Sequence, residues 1–130
     1  MARVMICDDD KVMAEELVVA LRSAKHEAAT CRHTMDVLRE AAEGRFDLIV
    51  FGLDMHGFGG SSAIEAIYEF APRLPIIGLH KRPSEIIRTP AHARLAAILP
   101  RPVSIDTFMY AVARALEVRL RVTIPSAHSF

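Results

Sequence analysis

Short apolar runs alternate with amphipathic stretches along the whole chain, the pattern of an α/β domain in which helices cover both faces of a parallel sheet. Arg3 to Asp8 reads as a first strand, about Glu27 to Cys31 as a second, Leu48 to Phe51 as a third, Pro75 to Leu79 as a fourth, and the segment around Ile98-Leu99 as a short fifth. The third is apolar at every position, as a central strand covered on both faces must be, whereas the second is less apolar and suits an edge. The helices fall between them. From about Asp10 to Ser23, Val12, Leu17, Val18 and Leu21 form one stripe that should face the sheet. Thr34 is placed to N-cap a second helix ending near Gly44, and a third should start near Ser61 and stop before Pro72, carrying Ile64, Ile67, Tyr68 and Ala71.

The fourth helix is predicted to be broken. Pro83 suits a helix start, but Pro90 removes a donor and biases Thr89 away from helical geometry, so two short pieces or a bend are expected. Ser104 is a good N-cap for the last helix, with Phe108, Val112 and Leu116 on one face and an end near Arg119. The domain is therefore expected over residues 1–121, with 122–130 as a loosely held tail containing Pro125, Ser126 and Ser129.

Composition narrows the function classes. A chain of 130 residues holds one domain with a real core. Sixteen basic and sixteen acidic residues cancel, so no global field draws the protein to nucleic acid or to an anionic membrane. No apolar run is long enough to span a bilayer, and Met1-Ala2-Arg3 leads directly into a strand; a soluble cytoplasmic protein is expected. Cys7 and Cys31 lie in strands and not at metal-ligand spacing, which favours small buried hydrophobes over a disulfide or zinc site.

In open parallel sheets, chemistry gathers beyond the carboxyl ends of the strands. That rule collects Asp8 and Asp9 after the first strand, Gly52 and Asp54 after the third, His80 after the fourth, and Arg101 with Pro102 after the fifth. The acidic run Asp8-Asp9-Asp10, the apolar strand leading into Gly52-Leu53-Asp54-Met55, the glycines ending at Gly60 and the Arg101-Pro102 pair together resemble the receiver domains of two-component response regulators, of the chemotaxis-regulator type. The resemblance covers nearly the whole chain to about Arg119. It implies a flavodoxin-like sheet of five parallel strands in the order 2-1-3-4-5 with five helices. It also implies an acidic pair for Mg²⁺, a phosphoacceptor Asp, a Thr or Ser, and a Lys before a cis-linked Pro.

Against that pattern, Gly52 stands at the phosphoacceptor position, His80 at the hydroxyl position and Arg101 at the lysine position. Ile98 stands where many receivers carry an aromatic switch residue. Glycine has no nucleophile for acyl phosphate formation, so phosphorylation at position 52 is excluded. With one carboxylate gone, Mg²⁺ binding by Asp8 and Asp9 is expected to be weak or absent, and no other cofactor is expected. Arginine forms paired hydrogen bonds with carboxylates, so Arg101 is expected to bridge Asp8 or Asp9, aided by protonated His80, and to fill the space beside Gly52.

The expected function is protein contact without phosphotransfer, and not enzymatic catalysis. The partner would be another signalling protein or a second copy, met through helix four, strand five and helix five, with no nucleic acid or membrane involved. Phe108, Met109, Tyr110 and Val118 give the last helix more apolar positions than one buried face needs. Two rivals remain: Asp54 as a displaced phosphoacceptor, and a transition-metal site from the acidic residues with His56 and His80. A hydrolase is disfavoured, since neither a Gly-x-Ser-x-Gly elbow nor a Walker loop is present.

Overall fold

The computed structural model describes residues 1–55, 60–86 and 89–123, without the side-chain surroundings of 60–61 and 118–123. Its strands are β1 (Arg3–Cys7), β2 (Glu27–Cys31), β3 (Leu48–Gly52), β4 (Ile76–His80) and β5 (Ala97–Pro100). All neighbours pair in parallel, in the order β2-β1-β3-β4-β5. Helices α1 (Lys11–Ser23), α2 (Thr34–Ala42), α3 (Gly60–Phe70), α4 (Pro90–Ala93) and α5 (Ile105–Thr123) make the crossovers, with a 3₁₀ turn over Pro83–Glu85 before α4. The alternation predicts the parallel α/β sheet, and its order is that of the flavodoxin-like architecture the resemblance implies.

Side chains alternate across each strand, and the two faces carry separate cores. Val4, Ile6, Leu48, Val50, Ile77 and Leu79 meet α1 and α5, including Leu17, Leu21 and Phe108. Met5, Cys7, Ile49, Phe51 and Ile76 meet Val37 of α2, Ile64 and Ile67 of α3, and Ala91 of α4. Every residue of β3 is buried, as its unbroken apolar run requires. Beyond its end, Leu53 packs so closely on β4 that a Cβ at Gly78 would lie 2.7 Å from Leu53 Cδ1.

Several local expectations are corrected. Val12 is exposed; Met13 and Ala14 take the inward positions with Leu17, Val18 and Leu21, because they lie three and four residues before Leu17 and Val18, whereas Val12 falls outside that spacing. Asp10 is the N-cap of α1, its carboxylate accepting the Met13 N–H at 3.1 Å. Thr34 is the first residue of α2 and is buried; His33 holds the cap position, without a side-chain hydrogen bond. The fourth crossover is in two pieces as expected, but Pro90 opens the second piece, where a missing N–H costs nothing. Helix α5 continues to Thr123, past the end expected near Arg119, because nothing between those residues breaks a helix. The tail residues 124–130 lie outside the described residues.

Candidate functional site

The carboxyl ends of β1, β3 and β5 bring Asp8, Gly52, Asp54 and Arg101 together. Asp8 follows β1 directly and is fully buried at its side chain. One carboxylate oxygen accepts the Asp10 N–H at 2.8 Å, which folds the chain into α1. The other faces Arg101 Nη2 at 2.5 Å as a close ion pair whose geometry is not that of a directed hydrogen bond. Arg101 Nε donates to Asp54 Oδ1 at 2.9 Å, and the Lys81 N–H donates to Asp54 Oδ2 at 2.9 Å. The remaining guanidinium nitrogen approaches Met13 Sδ at 3.9 Å. One arginine therefore lies between two carboxylates, with only 9% of its side chain exposed.

Gly52 makes that position available. A Cβ on Gly52 would sit 2.5 Å from Arg101 Nη2, 2.9 Å from Asp8 Oδ2 and 2.9 Å from Met55 Cγ. Any side chain at position 52 would compete with the guanidinium for the same volume. The charges respond accordingly. Burial pushes the Asp54 carboxyl up, but the Lys81 N–H and the guanidinium outweigh it and hold the group below the usual carboxylate range. Burial likewise works against the charged form of Arg101, and Asp8 and then Asp54 overcome it, raising the guanidinium further.

The other sequence-predicted residues lie apart from this triad. Asp9 is exposed beside Asp8. His80 ends β4, but its Nδ1 accepts the Arg82 N–H at 2.9 Å, so it turns to its own loop and does not help Arg101 neutralise the acids. Pro102 follows Arg101 through a cis peptide bond. His56 lies outside the described residues. The donor set does not suit Mg²⁺: Asp8 and Asp54 already hold a guanidinium and backbone N–H groups, and a hard cation would have to displace an intramolecular one. Among the described residues, no group of three or more His, Cys, Asp or Glu side chains is placed to hold a metal.

The model of the response regulator receiver domain family matches residues 4–113. The chain belongs to that family. As a receiver domain it is 30% identical over 116 residues to the DNA-binding transcriptional regulator NtrC of Azospirillum brasilense, an alignment covering 88% of this chain and 24% of that protein. It is 33% identical over 82 residues to the transcriptional regulatory protein PrrA of Mycobacterium tuberculosis, covering 63% of this chain and 35% of that one. The receiver domain thus spans well under two thirds of these relatives. Among solved structures, a receiver domain protein from Clostridium thermocellum superimposes with a TM-score of 0.82 at 17% identity, covering 94% of this chain and 99% of that one. The receiver domain of the sensor histidine kinase PA1611 from Pseudomonas aeruginosa, solved with magnesium in its active-site cleft, gives 0.78 at 20% identity, covering 89% and 98%. At such identities these structures establish the fold.

The receiver pattern led to Asp8, Gly52, Asp54, Met55 and Arg101 but missed Met13 and the Lys81 N–H, which line or complete the triad. Met13 was legible in principle: it stands four residues before Leu17 and so lies on the inward stripe, one turn after Asp10.

Proposed function

We propose that this receiver domain works in two-component signalling without being phosphorylated, as a module held in one conformation by its own Arg101. The observation that carries the reading is the place of the guanidinium: it fills the volume in front of Gly52 and binds Asp8 and Asp54 at once. Position 52 then supplies no nucleophile, and the cation that would accompany a phosphoryl group has an internal substitute. Family members are generally signalling modules and not enzymes, and nothing in the triad supplies a nucleophile with a base beside it.

Asp54 is the one competing acceptor. Its carboxylate points into the site, toward the Arg101 guanidinium. It is nevertheless held by the guanidinium and an N–H group and kept below the usual carboxylate range, which makes it a poor nucleophile. Incubation with Mg²⁺ and acetyl phosphate, followed by intact mass, tests both readings. No added phosphoryl group is expected; a phosphoryl group mapped to Asp54 overturns the proposal.

Output would then pass by contact. On α5, Ile105 and Tyr110 are exposed apolar side chains, on different faces of the helix, and Tyr110 is the one offered to a second copy or another signalling protein. Phe108 is withdrawn from that role, since it is fully buried in the core, and Met109 is half-buried and packs on the same core. The side chain of Val118 lies outside the described residues. With zero net charge on the chain, DNA contact is assigned to none of its surfaces, although the NtrC relative carries DNA binding in its name. Among the described residues no helix is long and apolar enough to cross a membrane, and a cytoplasmic location is part of the proposal.

A further inference from the structure

Cys7 and Cys31 end β1 and β2, and the parallel register sets them opposite each other. Neighbouring strands lie ~4.8 Å apart, inside the ~4.4–6.8 Å Cα separation that a disulfide spans. Partners in register point to the same side of a sheet, and both side chains meet the core under α2 and α3. Cys7 is buried there, while Cys31 is half-buried at the rim, a departure from the expectation that both are inert core residues. The two thiols act on each other's ionisation through a shared hydrogen bond, and the Cys31 S–H also meets the His33 carbonyl at 3.9 Å.

We propose that Cys7 and Cys31 are an oxidation site, converted by hydrogen peroxide into an intramolecular disulfide between β1 and the edge strand β2. The roles divide by exposure. Cys31 is the member that peroxide reaches, and the hydrogen bond from Cys7 lowers its pKa against the opposing effects of desolvation and of Asp36 and Glu40 on α2. The same bond, followed by burial, raises Cys7 and keeps it a thiol. The Cys31 thiolate attacks one peroxide oxygen; an S–O bond forms, the O–O bond breaks, and the released hydroxide takes up a proton to become water. Cys7 sulfur then attacks Cys31 sulfur, the S–O bond breaks, and the Cys7 proton leaves with the departing hydroxide as a second water. Two thiols are oxidised and one peroxide is reduced.

The crosslink would form one residue from the buried ion pair, since Cys7 precedes Asp8 and the Asp8 N–H donates to the Cys31 carbonyl at 3.3 Å. The inference does not depend on how the acidic pocket is read.

The test is to titrate the reduced full chain with hydrogen peroxide, quench with N-ethylmaleimide, and measure intact mass and peptide map. The expected product is a monomer that has lost two hydrogens, contains one Cys7–Cys31 linked peptide and returns to the starting mass with dithiothreitol. Cys31→Ser, at a half-exposed position, should stay folded and show no such loss. The proposal is overturned if both thiols of the wild-type chain remain open to N-ethylmaleimide. It is equally overturned if oxygen adds to Cys31 while Cys7 stays reactive, or if the only disulfide joins two chains.

Discussion

Glycine and arginine at positions 52 and 101 are two halves of one arrangement, because the guanidinium stands where a side chain on Gly52 would begin. Gly52→Ala should therefore push Arg101 off Asp8 at a cost of about 1–3 kcal/mol, in line with overpacking of a filled interior. Arg101→Ala should cost more, about 3–5 kcal/mol, because it strands a buried carboxylate without its counter-ion. Urea unfolding at neutral pH measures both, and an Arg101→Ala protein as stable as wild type would remove the basis for an internally neutralised site. The pH dependence has a definite sign. Asp54 has a folded pKa below its ordinary 3.8, so its ionised form adds stability above that value and the contribution fades as pH falls through the lower folded value. Wild type and Arg101→Ala should accordingly draw together in stability as pH falls below 3.8, since protonated Asp54 no longer rewards the guanidinium.

Helix α5 illustrates how far apolar spacing reads through to structure. Phe108 and Val112 lie on the buried stripe as the sequence predicts, and Tyr110, off that stripe, is exposed. The order of elements and the broken fourth crossover were legible for the same reason, since Pro and apolar periodicity act locally. Burial of Thr34 and the capping of α1 by Asp10 were less so: each depends on where the preceding strand releases the chain, which local pattern leaves open by a residue or more. The turn of His80 toward Arg82 is of that kind too: a donor in its own loop competes with groups brought near by other strands, and local pattern does not say which wins. Tyr110→Glu tests the surface that remains. If the α5 patch holds two copies together, sedimentation at micromolar concentration should find wild-type dimer and variant monomer, with the unfolding midpoint unchanged because Tyr110 lies outside the core. Wild-type monomer would instead assign the patch to a different protein.

Arg101 ties together three chain segments: the turn after β1 through Asp8, the loop after β3 through Asp54, and its own loop after β5. In a receiver that is switched by phosphorylation such loops must move relative to one another; on the reading proposed above, the buried cation holds them together instead. Which acids the arginine would choose was only partly legible. The spacing allowed Asp8 or Asp9, while the second partner is Asp54, which the Lys81 N–H holds at the end of β4, between β3 and the arginine after β5. If the arginine and the glycine are together what keeps Mg²⁺ out, repairing one should not suffice. Gly52→Asp alone adds a carboxylate but leaves the guanidinium across the site, so Mg²⁺ should still shift few backbone amides. Adding Arg101→Lys replaces the bidentate fork with a flexible point charge and frees Asp8 to turn toward a cation. The double variant should then show saturable Mg²⁺-dependent shifts around Asp8, Asp9 and position 52, and the single variant should not. Equal Mg²⁺ affinity in the two would mean that the missing carboxylate alone disabled the site, with Arg101 a bystander that merely fills the space.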